Sequence, residues 1–72
     1  MKQSDTESFR WYEKAAQQGN ADAQFFLGEM YRDGQGVKRS DEKAIFWFEK
    51  AAQQGHASAE HEITAMRRDD RG

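Results

Sequence analysis

Apolar residues recur along this chain at helical spacing, and the turns between them are marked by glycine. In residues 5–18, Phe9, Trp11, Tyr12, Ala15 and Ala16 fall on one face with Ser8, while Glu7, Arg10, Glu13, Lys14 and Gln17 fall on the other. That period predicts an amphipathic helix from Asp5 to Gln18. Ser4 and Glu7 have the spacing of a capping box. Gly19 stands where a left-handed residue would end the helix. A second helix is expected from Ala21 to Asp33, with Asn20 as its cap. Ala23, Phe26, Leu27, Met30 and Tyr31 share its apolar face, and Gly28 lies at the edge, where it lets another backbone come close. Residues 34–39 then read as a loop, with Val37 as its apolar anchor. A third helix starts at Ser40 or Asp41, with Asp41 and Glu42 suited to its first turn, and ends at Gly55. A fourth is expected from Ala57 to Arg68, followed by a charged tail that frays.

The halves of this pattern are copies of each other. Trp11-Tyr12-Glu13-Lys14-Ala15-Ala16-Gln17-Gln18-Gly19 returns 36 residues later as Trp47-Phe48-Glu49-Lys50-Ala51-Ala52-Gln53-Gln54-Gly55, and residues 5–36 match residues 41–72 at 15 of 32 positions. A period in this range means stacked supersecondary units that share a core. Trp11 and Trp47 are accordingly expected in that core, and the Ala-Ala pairs are expected to let neighbouring helices approach closely. The fourth helix copies the second imperfectly: Phe26 becomes Glu62, Gly28 becomes Thr64 and Tyr31 becomes Arg67. Loss of apolar and close-contact character suits a terminal unit that no further repeat covers.

Composition sharpens this picture in a few places. With 72 residues the chain is a single domain, with no room for a deep cleft between lobes. Leu, Val, Ile and Phe together number only 9, so ten alanines and nine aromatics must supply the core. The net charge of −2 argues against a dedicated nucleic-acid binder, which shows a basic stripe. There is no cysteine for a disulfide or thiolate metal site, and no proline to interrupt helices. No apolar run approaches the roughly 18 residues of a membrane span. The first residues lack the apolar stretch of a signal peptide, which makes a cytoplasmic protein the expectation. Met1 and the capped first helix point to a true chain start.

Residues 21–31 (Ala-Asp-Ala-Gln-Phe-Phe-Leu-Gly-Glu-Met-Tyr), Gly34-Gln35-Gly36-Val37, Asp41-Glu42-Lys43-Ala44 and Trp47–Gly55 together resemble the Sel-1-like repeat, a relative of the tetratricopeptide repeat. One full unit would span about residues 21–55, flanked by half units. The resemblance implies an all-α, right-handed solenoid of four helices. It also implies a non-enzymatic adaptor or scaffold role, common in bacterial proteins that assemble complexes, with no cofactor.

The tetratricopeptide relationship further implies that Asp22, Phe25, Glu29 and Arg32 line a concave groove, continued on the fourth helix by Ser58, His61, Ala65 and Arg68. Phe25 lies off the apolar face of its helix among charged neighbours, and aromatics and arginines dominate interface hot spots. Alternatively it tucks against the first helix or the Val37 loop. Phe46 replaces Arg10 on the polar face of the third helix, where it could meet a partner on the convex side or another copy of the chain. His61-Glu62 opens like a zinc-protease helix, but the second histidine would fall at position 65, which is alanine. His56 is expected at the turn before the fourth helix. Gly34-Gln35-Gly36 lacks the strand, lysine and hydroxyl of a phosphate loop.

These features favour a protein-interaction module that binds a protein or peptide partner in the groove, without nucleic acid, membrane or metal. Two alternatives stay open. One is a small stoichiometric inhibitor or regulator of a larger complex. The other is a self-assembling solenoid fragment, joined through its terminal helices because about two units fall short of the three such arrays normally want.

Overall fold

In a computed structural model, which describes residues 5–71 and the side chains of residues 7–68, the chain forms four helices. They are α1 (Asp5–Gln17), α2 (Ala21–Asp33), α3 (Asp41–Gln53) and α4 (Ala57–Arg71). The expected boundaries hold to within a residue except at the ends of α3, which stops at Gln53, two residues before Gly55, and of α4. That helix runs past Arg68 to Arg71, because nothing before Gly72 interrupts it. The proposed Ser4–Glu7 cap lies outside the described residues.

Local chemistry ends each helix where the sequence suggests. The Asn20 side chain accepts from the Ala23 N–H (3.0 Å) and starts α2. Ser40 Oγ accepts from the Lys43 N–H (3.3 Å) and starts α3. Gly19 adopts φ 96° and Gly55 φ 88°, a left-handed conformation that a Cβ would oppose. These two turns carry the same bonds 36 residues apart: Asn20 N–H to Ala15 O, and His56 N–H to Ala51 O, each 3.2 Å. After α2, Gly34 and Gly36 reverse the chain at φ 72°. Val37 packs on the core, and the Ser40 N–H donates to Tyr31 O (2.9 Å).

The helices pack in chain order. α2 and α3 share the most extensive interface, flanked by α1 on α2 and α4 on α3. The core is built from Leu27, Tyr31, Ala44, Phe48, Ala51, Ala59 and Ile63, with Ala16 and Ala23 on the α1 side. Phe48 is the largest fully buried side chain. Its ring lies on Gly28: a Cβ there would stand 2.7 Å from two ring carbons and 3.1 Å from the Ala44 carbonyl. The close approach expected of Gly28 is therefore made by an aromatic ring as well as by backbone.

One chain of polar contacts, buried at Gln24, crosses the layers. Gln24, 5% exposed, donates from Nε2 to Ala16 O (3.1 Å). Gln54 Nε2 donates to Gln24 Oε1 and to Gly19 O, both 3.0 Å. The turn after α3 is thereby tied to the turn after α1.

Two expectations about the core need correction. Trp11 is 66% exposed, although its counterpart Trp47 is half-buried against the core. α3 packs between α2 and α4, whereas the extensive interface of α1 is with α2 alone, which leaves Trp11 on the outer part of its apolar stripe exposed. Phe26 is likewise 42% exposed and leans on Tyr12 with ring centres 5.4 Å apart.

Gly28→Ala is expected to destabilise the fold by about 1–3 kcal/mol through overpacking, more than the roughly 1 kcal/mol that alanine gains in helix propensity. The cost should shrink in a Phe48→Leu background. Urea unfolding of the four chains in this cycle measures the coupling.

Candidate interaction surfaces

The side chains expected in the groove divide into two groups. Asp22, Ser58, His61 and Arg68 are exposed; Phe25, Glu29 and Arg32 are half-buried and engaged within the protein. Ala65 is exposed as well. Phe46, on α3, is 50% exposed. It meets Trp47 edge-on at 5.1 Å, and Lys50 Nζ lies 5.3 Å from its ring centre.

Phe25 is not the free aromatic the helical wheel suggests. Its ring stacks on His56 (4.7 Å, 20°) and packs on Phe26 and on Phe48, the latter at 5.7 Å. The wheel treats α2 alone and misses the turn after α3, which brings His56 over that side of the helix. Truncating Phe25 would therefore disturb packing as well as any contact with a partner.

His56 has three tasks in one ring. The Ala59 N–H donates to Nδ1 (3.2 Å), capping α4 as Asn20 caps α2. An acceptor Nδ1 leaves the proton on Nε2, which then donates to Asp22 Oδ1 (3.1 Å). The ring face stacks on Phe25. The expected place of His56 at the turn is thus occupied by a capping and layer-joining residue. His61 does not converge with it: among the described residues, no group of three His, Cys, Asp or Glu could hold a metal ion.

Arg32 closes the other end of the α2–α4 contact. It pairs with Glu62 of α4, with Asp33 (3.2 Å) and more loosely with Glu29 (3.8 Å). Glu62 is thus the polar replacement for Phe26 that finds a partner one layer back. Arg67, which replaces Tyr31, pairs with Glu49 of α3 (2.9 Å). Sequence reading took both as losses of core character. The compensating Arg32 and Glu49 become visible only when α2, α3 and α4 are set side by side. Burial pushes the Glu29 carboxyl above its ordinary value; Arg32 opposes this, and Glu62 and Asp33 reinforce it.

The exposed aromatics missed by sequence reading gather at the α1 side. A hollow of about 260 Å³ is lined by Trp11, Tyr12, Asn20, Asp22, Ala23 and Phe26. A second, of about 400 Å³, is lined by Glu7, Ser8, Trp11 and Tyr12. The signal for it lay in the repeat itself. A position that is Phe26 in one copy and Glu62 in the next belongs to a layer edge, not to a closed core.

Comparison with known proteins agrees with this architecture. The Sel1 repeat family matches residues 1–20 and 21–56. The crystal structure of a Sel1 repeat protein from Oxalobacter formigenes superposes with a TM-score of 0.85 at 41% identity, over 88% of this chain and 26% of that one. The chain spans about a quarter of the length of that protein. No curated protein matches. Four helices, the 36-residue repeat and these matches define an all-α helical repeat solenoid, and the chain belongs to the Sel1 repeat family. Among the described residues, no helix is long and apolar enough to cross a membrane.

Two outcomes are expected. His56→Ala should cost about 1–2 kcal/mol through the lost cap, and His56→Asn should recover part of it, since Asn20 does the same task one layer earlier; urea unfolding checks both. Glu29→Gln should stabilise the fold at neutral pH. With its carboxyl raised in the folded state, Glu29 contributes stability below its unfolded value that is lost as pH rises through the folded one. The advantage of glutamine should therefore vanish in acid, as read from unfolding midpoints between pH 7 and pH 3.5.

Proposed function

We propose that the chain is a non-enzymatic interaction module, an adaptor or scaffold of the cytoplasm that binds a protein or peptide partner along α2 and α4. Sel1 repeats generally mediate protein interactions, and membership of that family supports the general role. The observation that carries the reading is the row of matched positions. Asp22, Phe25, Glu29 and Arg32 recur 36 residues later at Ser58, His61, Ala65 and Arg68, and the whole row stands open or half-open to solvent. None of these side chains belongs to the buried core. In stacked repeats such outward positions are free to vary with the partner while the core keeps the layers together.

Phe25 serves this surface as a ring held rigid by His56 and Phe48. A rigid aromatic loses little freedom on binding. Asp22, His61 and Arg68 supply the polar contacts around it.

The reading is tested with a photo-reactive phenylalanine analogue placed singly at positions 14, 46 and 61, using the partner recovered by the intact chain. Cross-linking is expected from position 61 and not from position 14. Arg68→Glu should weaken binding of that partner by about 1–2 kcal/mol with the unfolding midpoint unchanged. Cross-linking from position 46 alone would place the partner on the opposite face at Phe46 and overturn the groove.

A further inference from the structure

The internal repeat shows what fits against the open aromatic end. On the second layer, the surface equivalent to Trp11, Tyr12, Asn20 and Phe26 is formed by Trp47, Phe48, His56 and Glu62. There α2 covers Phe48, His56 and Glu62, with Lys43 beside them, through four contacts. Phe25 packs on Phe48 and His56. Gly28 receives the Phe48 ring. Tyr31 lies under Lys43, whose Nζ is 5.6 Å from the ring centre. Arg32 pairs with Glu62.

Moving this arrangement back by 36 residues gives the requirements of the first layer. Phe48 becomes Tyr12 and His56 becomes Asn20, so the residue in the place of Phe25 meets an aromatic ring and stays apolar. The Tyr12 ring needs the same glycine seat. Lys43 becomes Glu7, which favours a cation where Tyr31 stands. Glu62 becomes Phe26, which favours an apolar residue where Arg32 stands.

We infer that the Trp11–Tyr12–Phe26 face docks an α-helix of a partner protein, one that carries apolar residues at i and i+7, glycine at i+3 and Lys or Arg at i+6. A second copy of this chain fits poorly. Its α4 is the one helix related to α2, and it presents Thr64 at the glycine position and Arg68 opposite Phe26. A Cβ at the glycine position of the second layer would stand 2.7 Å from the seated ring. The inference rests on the reading of the chain as an interaction module, but on a surface other than the row along α2 and α4.

The probe is a lactam-bridged helical peptide with the sequence of residues 20–34 carrying Tyr31→Lys and Arg32→Leu, titrated into the intact protein by calorimetry. Saturable one-to-one binding is expected. Trp11→Ala and Phe26→Glu in the protein should each weaken it at least about tenfold, and so should Gly28→Thr in the peptide. Arg68→Glu in the protein should leave it unchanged, which separates failure here from failure of the groove. Absence of binding, or equal binding by the Trp11 and Phe26 variants, would overturn the inference. So would concentration-dependent dimers of the free protein that Trp11→Ala abolishes, since a second copy would then be the occupant.

Discussion

The packing of the Phe48 ring on Gly28 is the contact on which the rest of the structure depends. A solenoid of aromatic and alanine residues has few aliphatic side chains with which to fill gaps. Its helices must therefore come close, and the Phe48 ring must lie against bare backbone. Gly28 provides that space on α2, while Ala44 and Ala51 keep α3 slim around the ring. Interiors packed at crystal-like density tolerate little deviation from such a fit. The orientation of α2 on α3 follows from it, and with it the positions of Phe25, His56 and Arg32.

Polar contacts then tie the layers in register. Gln54 reaches back to Gln24 and Gly19, His56 to Asp22, and Glu62 to Arg32. Each joins residues 30 to 35 apart in sequence, so each links one hairpin to the next. The two ends of the described fold are chemically unlike. At α4 the core-forming identities of α2 have been exchanged for Thr64 and for charges paired backward. At α1 the aromatic character is kept, and Trp11 and Phe26 face solvent.

Much of this was legible in the sequence because the physics involved is local. Asn20, Ser40, Gly19 and Gly55 act on their own helix ends, and helical period alone placed Leu27 and Tyr31 on the buried face of α2. The 36-residue repeat fixed the stacking. What the sequence did not reveal depends on neighbours in space. A helical wheel gives Trp11 and Trp47 the same face, but burial requires a covering helix, and α3, unlike α1, packs between two helices. The wheel set Phe25 outside the core because it does not include the turn that brings His56 over it. Gln24 was passed over as an ordinary polar residue, since its partners Ala16 and Gln54 are 8 and 30 residues away.

The stacking of layers around Phe48 is tested most directly by nuclear magnetic resonance of the intact chain. The account predicts strong cross-relaxation between the Gly28 α-protons and the Phe48 ring, with those α-protons displaced from random-coil shifts by the ring current. Gly28 α-protons at random-coil shifts, with no cross-relaxation to Phe48, would contradict it.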